Sequence, residues 1–391
     1  MAPLAKDHWR SDNRTIHQTT QESMPTRSRR GQNHRTDYGE LVEIARLYFR
    51  SGATQTEIAD TLGIPQARVS RLLRQAEDEE IVKHVIFPPP LRRLESAMMR
   101  RLAGKGVGDV RVVPRGIGLN AGKNEENLGT VTAAYLVDAL VDHPGNSVSI
   151  CMACGNTLLS VITHFTEHLR RQPNVLEQLK QKTIVLYPLS LYWEPTLRFH
   201  IDSEYPSTSI YPSALVVYLA MRLMTLGCKV IAHAPQPPLD FYRELDSMSE
   251  DERVRQVTKY KEYLEGAKAA DIFVLGIGAG QHDQRYRRVL DDLAIDLANE
   301  KGMAGEIGYQ PFDSAGQFVD FSKLIAVTGD ELAQLSGGSA KVIAAAGGEG
   351  KAGAIEALLN RDRLPFNVFI TDEAIADKFD NQSGAPFGEA W

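Results

Sequence analysis

Between residues 107 and 380, eight short apolar runs alternate with segments whose apolar residues recur at helical spacing. The runs are RVVP (111–114), SVSIC (147–151), TIVLYPL (183–189), KVIAHAP (229–235), DIFVLGIG (271–278), LIAVTG (324–329), KVIAAAGG (341–348) and NVFITD (367–372). Near-continuous apolar strands separated by amphipathic helices are typical of a parallel sheet covered on both faces. We therefore predict an α/β fold with a large Rossmann-like domain, whose ligand binds at the carboxyl ends of the strands.

The composition limits where this domain can act. The chain has 391 residues, a hydrophobic fraction of 43%, a charged fraction of 24% and three cysteines. It shows no apolar run that spans a bilayer and too few cysteines for a disulfide framework, so we expect a cytoplasmic protein without membrane contact. The net charge of −6 restricts any nucleic-acid contact to a local surface. No pattern predicts a cofactor or a metal site.

A second pattern lies near the front of the chain, where residues 55–74 read QTEIADTLGIPQARVSRLLR. Counted from Gln55, the fifth position is Ala59, where two helices can touch, and the ninth is Gly63, where positive φ is useful. Apolar residues occupy the positions that pack such a pair of helices: Ile58, Leu62, Ile64, Val69 and Leu72. Thr54 and Glu57 form a capping-box pattern. The stretch predicts a small all-α helix-turn-helix domain.

The second helix of this unit presents candidate DNA-binding residues. We predict that these are Gln66, Ala67, Arg68, Ser70, Arg71 and Arg74. Arginine pairs with guanine and glutamine with adenine in the major groove, while Arg74 lies further along and is better placed for phosphate. The alternative is that all of these are simply solvated side chains. Because residues 37–90 carry six Lys/Arg and nine Asp/Glu, a net of −3, a single copy should bind DNA weakly.

These patterns divide the chain into five segments. We predict a disordered basic arm at 1–36, a helix-turn-helix domain with a short wing strand at 37–86, and a linker with a helix at 87–106. An effector and oligomerisation domain at 107–380 and a loose tail at 381–391 follow. The linker helix carries an apolar stripe of Leu91, Leu94, Met98 and Leu102. Two roles stay open for that stripe, which are packing on its own domain and self-association.

Taken together, the motifs resemble the SorC family of sugar-responsive bacterial transcription regulators. The similar stretches are ARLYFRSGATQTEIADTLGIPQARVSRLL in the head, then CGNTLLSV, ADIFVLGIG, GMAGEIGYQPFD, IAAAGGEGKAGAIEALL and FNVFITDEAIA in the same order as in the family. The resemblance covers residues 38–380. It implies an effector domain similar to sugar-phosphate isomerases and CoA transferases, which binds sugars or sugar phosphates without acting on them. It also implies operator DNA as a partner and a dimeric or tetrameric homo-oligomer.

The resemblance and the residues point to the same effector site. The candidate residues are Gly155, Asn156, Thr157, Gly276, Gly278, Glu306 and Lys351. The sequence GNT ends a strand and opens a helix, whose free N–H groups and dipole favour an anion. Lys351 adds a positive charge, and Glu306 can accept bonds from sugar hydroxyls. The alternatives without a role in binding are that Lys351 is a solvated lysine at a helix start and that Glu306 is a loop carboxylate bonded to backbone.

Three residues depart from the family pattern. Leu191 and Tyr192 stand where a Gly-Gly pair is usual, and Ser213 replaces a common asparagine. The segment between them is bulkier and more aromatic than in the family. The departures leave open whether the effector is a sugar phosphate or a larger, less charged molecule.

Other chemistry-bearing patterns support weaker alternatives. The Cys-x-x-Cys at 151–154 has no second ligand pair, so we predict buried packing for Cys151. GIGAG at 276–280 and GGEGKA at 347–352 lack the spacing of nucleotide-binding loops, and His200 and Asp202 are expected in a polar loop. The rival function is a sugar-phosphate isomerase or deaminase in which Glu306 and Lys351 act as base and electrophile. A protein that only assembles on DNA would leave the strand-end glycines unexplained.

Overall fold

The computed structural model describes residues 38–49, 51–79, 81–82, 88–115, 125–190, 212–234, 249, 261–279, 303–319 and 326–381. The predicted arm, most of the predicted wing strand, Leu191, Tyr192, His200, Asp202 and nearly all of the tail lie outside these residues. The chain forms two compact units, Met1–Val85 and Ile86–Trp391, which are the head and the larger unit below.

Three helices build the head. They are α1 (Tyr38–Phe49), α2 (Gln55–Leu62) and α3 (Gln66–Asp78). The predicted capping box starts α2, since Thr54 N–H donates to Glu57 Oε2 at 2.7 Å and Glu57 N–H donates to Thr54 Oγ1 at 3.2 Å. Gly63 ends the helix with φ 63°, the left-handed conformation that a glycine adopts without strain. Local sequence therefore sets the turn between α2 and α3.

A small apolar core holds the three helices together. Its buried members are Ile44, Ile58, Ala59, Val69 and Leu73, with Ile64 and Leu72 packed against them. The expectation that Leu62 also packs here is wrong, because Leu62 is 38% exposed. It is the last residue of α2, directly before the left-handed Gly63.

The larger unit begins with a helix and then follows the predicted α/β alternation. Its elements are α4 (Arg92–Arg101), β1 (Asp109–Val113), α5 (Glu125–Asp142), β2 (Ser147–Met152), α6 (Asn156–Arg171), α7 (Pro173–Lys180), β3 (Thr183–Pro188), α8 (Pro212–Thr225), β4 (Lys229–Ala232), β5 (Ile272–Gly276), β6 (Met303–Ile307), β7 (Gln310–Asp313), α9 (Gly329–Leu335), β8 (Lys341–Ala345), α10 (Ala352–Leu358), β9 (Val368–Asp372) and α11 (Glu373–Asn381). Residues 261–268 are also helical.

Seven strands form one sheet in the order β1-β9-β8-β5-β2-β3-β4, and every neighbouring pair is parallel. The predicted parallel-sheet fold is confirmed. From β2 the chain moves through β3 to β4 on one side, whereas β5 leads through β8 to β9 on the other. The order therefore reverses between β2 and β5. A crevice outside the carboxyl ends of these two strands is where ligands of such sheets bind.

Two features of the larger unit differ from the sequence prediction. Residues 326–328 of the LIAVTG run are not a strand, because Thr328 caps α9 in a second capping box with Glu331. The antiparallel hairpin β6–β7 was not predicted and stands outside the main sheet. Its turn packs on the strand ends, since a Cβ built at Gly308 would lie 2.5 Å from Leu189 Cδ2 and 3.7 Å from Ala153 Cβ.

The linker helix α4 packs on its own unit. Leu94, Met98 and Leu102 are buried in the core cluster that contains the sheet. Arg93 Nη2 lies 2.9 Å from Asp380 Oδ2, which ties α4 to α11. Of the two roles left open for the apolar stripe, the structure therefore shows packing on its own unit for these residues.

Among the helices in the described part of the chain, none combines the length and the apolar character needed to cross a membrane.

Candidate DNA-binding and effector sites

Helix α3 presents most of the predicted DNA-binding residues to solvent. Gln66, Ala67, Arg71 and Arg74 are exposed, and Ser70 is half-buried. The inward face is apolar, with Val69, Leu73 and Ala76 buried. No acidic residue lies in the first turn of α3, where one would repel phosphate. The exposed face of α3 is thus suited to the major groove.

Arg68 differs from the other arginines of α3. Its guanidinium Nη2 lies 2.9 Å from Glu40 Oε2 of α1, and the residue is half-buried. The ion pair links α1 to α3 in the structure. The ion pair holds one Nη2 of Arg68 toward α1, whereas Arg71 is exposed, so Arg71 is the more accessible of the two.

Gln55 is a residue that the sequence analysis did not include among the DNA contacts. Gln66 Nε2 donates to Gln55 Oε1 at 2.9 Å, which joins the first residue of α3 to the first residue of α2. The bond fixes the Gln66 amide and leaves the Gln55 amide N–H groups directed away from it. The sequence could have indicated this pair, because Gln55 and Gln66 are each the first residue of a helix in the motif.

In the larger unit, the loop after β2 leads into α6 through Gly155. This residue has φ 110° and ψ 170°, which favours glycine. Among the described residues, no atom lies within 4 Å of a Cβ built at Gly155, where the 16-residue helix starts. Asn156 is half-buried and Thr157 is buried. The first N–H groups of a helix this long can bind an anion.

The loop after β5 meets the loop after β2. A Cβ built at Gly276 would lie 3.5 Å from the carbonyl oxygen of Cys154, so the two strand ends are adjacent. Gly278 continues into a short antiparallel bridge, with its N–H bonded to Glu306 O at 3.0 Å. A Cβ at Gly278 would lie 2.1 Å from Glu306 Oε1. These contacts place Gly276, Gly278 and Glu306 at the same edge of the sheet as the loop of Gly155.

Glu306 also holds the turn of the β6–β7 hairpin. Its Oε2 accepts from Tyr309 N–H at 2.8 Å. Tyr309 has φ 74° and is, within the described residues, the only non-glycine with positive φ. A strained backbone of this kind is characteristic of functional sites. The alternative that Glu306 is bonded to nearby backbone is therefore what the structure shows for Oε2. This hydrogen bond orients the carboxylate.

The third loop at this edge follows β8, which lies beside β5. Asp372 at the end of β9 accepts from Gly348 N–H at 2.6 Å and from Ile375 N–H at 3.0 Å. The bonds fix a glycine turn in which Gly348 has φ 92° and no atom lies within 4 Å of its Cβ position. Lys351 follows at the end of a one-turn 3₁₀ helix and is half-buried. The seven predicted effector residues thus lie at the same edge of the sheet, at the start of α6, at and just after the end of β5, in β6 and in the 3₁₀ helix.

The same edge contains two further polar residues. The Ser190 hydroxyl is fully buried just beyond β3 and has no hydrogen-bond partner in the described part of the chain. Buried hydroxyls without a partner are uncommon, which makes Ser190 a candidate that the sequence analysis missed. Ser213, one of the departures from the family pattern, is buried in the first turn of α8.

The Cys-x-x-Cys cysteines lie beside this site. Cys151 is fully buried in β2, and burial raises the pKa of its thiol. Burial, followed by the nearby Glu306 carboxylate, raises the pKa of the half-buried Cys154 thiol. Raised pKa values keep both thiols protonated, the form that is a poor nucleophile and a poor metal ligand. In the described residues, no group of three or more His, Cys, Asp or Glu side chains is arranged to hold a metal ion.

Comparison with known proteins gives matches for both units. A family model described as "Putative sugar-binding domain" matches residues 233–379, and the model "Sigma-70, region 4" matches residues 43–78. The chain is 26% identical over 347 residues to the transcriptional regulator LsrR of Enterobacter sp. (strain 638), covering 86% of this chain and 91% of that protein. LsrR of Klebsiella pneumoniae is 27% identical over the same length.

A solved structure shares the fold across both units. The full-length sorbitol operon regulator SorC from Klebsiella pneumoniae superposes with a TM-score of 0.59 and 21% identity, covering 88% of this chain and 99% of that one. The resemblance to the SorC family is confirmed. The match to the sugar-binding model includes Gly276, Gly278, Glu306 and Lys351. It does not reach the loop of Gly155.

Proposed function

We propose that this chain is a transcription regulator whose head binds operator DNA through α3. A sugar or phosphorylated sugar bound at the carboxyl edge of the sheet controls that binding, and the protein acts as a homo-oligomer. One observation carries the proposal. The chain combines a helix-turn-helix head with a parallel sheet at whose strand-order reversal the segment that opens α6 lies against the end of β5.

The side chains at this edge of the sheet are suited to binding more than to catalysis. Glu306, the base that the enzyme hypothesis requires, is bonded to the backbone of Tyr309 at 2.8 Å. The neighbouring Cys154 thiol has a raised pKa and is held protonated. The relatives are transcriptional regulators in name. These features support a ligand sensor, and the isomerase or deaminase hypothesis is not favoured.

Control of DNA binding requires that the effector binds one arrangement of the heads better than another. Helix α4 is packed into the core of the larger unit, so a displacement at the strand ends can reach the linker through β1, β9 and α11. Coupling of this kind typically changes affinity about 5- to 150-fold. We expect the effector to change operator affinity within that range.

The test is binding of the full-length protein to labelled DNA from its own upstream region. The assay is fluorescence anisotropy at fixed salt, with and without hexoses, hexitols, their monophosphates and inorganic phosphate. Sequence-preferring binding that one of the sugars or sugar phosphates changes would support the proposal. Binding that no member of the panel alters would contradict sugar control, and turnover of a sugar phosphate would restore the enzyme hypothesis.

The effector site has its own test in two variants, Thr157→Val and Lys351→Ala. Each should leave DNA affinity without effector unchanged, because the head is a separate compact unit. Each should weaken the response to the effector at least about tenfold, which corresponds to about 1.4 kcal/mol of binding energy. The matched control is Lys378→Ala in α11, which removes a positive charge from an exposed side chain. A full response in both site variants would place the effector elsewhere.

A further inference from the structure

Two glutamine side chains meet where α2 and α3 begin. Gln66 Nε2 donates to Gln55 Oε1 at 2.9 Å, and each residue is the first of its helix. Gln66 is exposed, whereas Gln55 is half-buried. The exposed amide at the start of α3 is therefore held in one orientation before DNA is bound.

The direction of this hydrogen bond decides which groups of the Gln66 amide remain for a ligand. A glutamine amide has one acceptor oxygen and two N–H donors. One N–H of Gln66 is used on Gln55 Oε1, an atom that can only accept. Among the described residues, Gln66 makes no other side-chain hydrogen bond, so its Oε1 atom and its second N–H remain. One acceptor and one donor are thus available at the start of α3.

One acceptor beside one donor matches a single base in the major groove. Adenine presents the N6–H donor and the N7 acceptor, which a glutamine amide bonds at the same time. Guanine presents two acceptors, O6 and N7, so the amide oxygen would face another oxygen there. Thymine and cytosine each present one polar group, so each makes at most one of the two bonds. The amide orientation that Gln55 fixes therefore favours adenine.

The charged residues near the pair are bonded elsewhere. Glu57 Oε2 accepts from the Thr54 N–H at 2.7 Å and from the Thr54 hydroxyl at 2.9 Å. Arg68 Nη2 lies 2.9 Å from Glu40 Oε2. A neutral residue, Gln55, is thus the side chain that sets the amide orientation, and it places no negative charge beside the DNA phosphates.

We propose that Gln66 recognises an adenine in the operator and that Gln55 is the positioning residue that fixes the Gln66 amide for this base. The inference rests on the proposed function, because it assigns one base pair within the DNA that α3 binds. Fixing a side chain before binding removes part of the entropy cost of ordering it at the interface. Gln55 acts through Gln66, so changes at the two residues are not additive.

The test selects preferred sites from a random DNA pool with the full-length protein and with the variant Gln66→Ala. Wild-type sites should contain an adenine at one position where the variant selects no base. The wild type should prefer that adenine over the other bases about 5- to 150-fold, the range for a good bidentate contact. In Gln66→Ala the preference should be less than about twofold, because neither hydrogen bond can form.

Two substitutions of Gln55 separate positioning from packing. Gln55→Ala removes the acceptor, so the adenine preference should fall at least about threefold. Gln55→Glu keeps an acceptor at the same distance from the backbone, so the preference should be retained while affinity for all sequences falls through charge repulsion. The double variant Gln55→Ala, Gln66→Ala should lose no more preference than Gln66→Ala alone.

A modified base tests which atom is recognised. The base 7-deazaadenine lacks the N7 acceptor and keeps the N6 amino group. At the selected position it should weaken wild-type binding at least about threefold in fluorescence anisotropy, because one of two hydrogen bonds is lost. Gln66→Ala should bind the modified and unmodified sites equally. The matched control is Gln75→Ala, a half-buried glutamine further along the same helix, which should behave as the wild type does.

The outcomes distinguish this inference from the proposed function. A selected site that Gln66→Ala still prefers as strongly as the wild type would overturn the inference and leave the regulator proposal standing. An adenine preference that Gln55→Ala retains in full would overturn the positioning role. A wild-type protein that selects no sequence would overturn both proposals. Thermal melting followed by circular dichroism shows whether each variant is folded. If Gln66→Ala is not, Gln66→Met takes its place, since methionine keeps the apolar stem and cannot bond adenine in this way.

Discussion

Replacing Gly305 by alanine should destabilise the larger unit by about 1–3 kcal/mol, the usual cost of overpacking a well-packed core. A Cβ at this position would lie 2.4 Å from Phe312 Cζ, 2.7 Å from Ala354 Cβ and 2.9 Å from the carbonyl oxygen of Gly278. Phe312 is fully buried and packs edge-on against Phe318, so it cannot move aside easily. The added methyl group would therefore push the β6–β7 hairpin away from the loop after β5.

The measurement is urea unfolding of the larger unit followed by circular dichroism. The matched control is Gly353→Ala, another glycine-to-alanine change in the adjacent helix α10. No atom lies within 4 Å of its Cβ position, so this variant should be unchanged or more stable by up to about 1 kcal/mol. Gly305→Ala should also lose the response to effector while the head still binds DNA. Equal stability of the two variants would show that the hairpin does not depend on this contact.

Arg71→Ala should remove sequence preference at one or two base pairs of the operator. Arg71 is exposed on α3, and a good bidentate contact between arginine and guanine contributes about 1–3 kcal/mol of discrimination. The preferred sites of wild type and variant can be selected from a random DNA pool and compared by sequencing. Single-base variants of the selected site then give the loss at each position by anisotropy.

Arg74→Ala is the matched control within the same helix. We expect it to weaken binding to all sequences about equally and to reduce the slope of log affinity against log salt by about 1. Arg68→Ala should change preference less than Arg71→Ala, because its guanidinium is bonded to Glu40. If Arg71→Ala keeps the wild-type preference and only lowers affinity, then Arg71 contacts phosphate and base recognition lies on other residues of α3.

The predictable parts of the fold are those set by local sequence. The capping box of Thr54 and Glu57 and the left-handed Gly63 determine the helix boundaries of the head, and both were predicted. The apolar runs predicted the strands of the main sheet because strands buried on both faces contain few polar residues. The prediction of a strand at LIAVTG was wrong because it relied on apolar composition alone. Its apolar composition suggested a strand, whereas the capping box of Thr328 and Glu331 starts a helix there.

Features that depend on contacts distant in sequence could not be predicted. The ion pair of Arg68 with Glu40 joins residues 28 positions apart, and no periodicity predicts it. The antiparallel hairpin β6–β7 was not predicted either. Its two short strands lie within GMAGEIGYQPFD, which we interpreted as a ligand-binding motif. The exposure of Val217, Met221 and Met224 on α8 could not be predicted either, because an apolar helix sequence does not show which of its faces meets solvent.

The effector site was predicted as a set of loops, and the parallel sheet explains why that was possible. Carboxyl ends of parallel strands share one edge, so residues from separate loops converge there. Which of those residues a ligand touches depends on side-chain direction. Thr157 is buried, and one oxygen of Glu306 is bonded to Tyr309. The roles of these residues therefore stay predictions for the effector variants to test.

The packing of α4 has a consequence for exchanging parts between related regulators. Leu94 and Met98 are buried in the core of the larger unit, and Arg93 is bonded to Asp380. Although α4 precedes the sheet in sequence, it is a structural component of the effector module. A chimera that receives a foreign head should therefore be joined upstream of Leu91, at the prolines 88–90. A junction placed after α4 would leave its binding groove empty and expose apolar core to water.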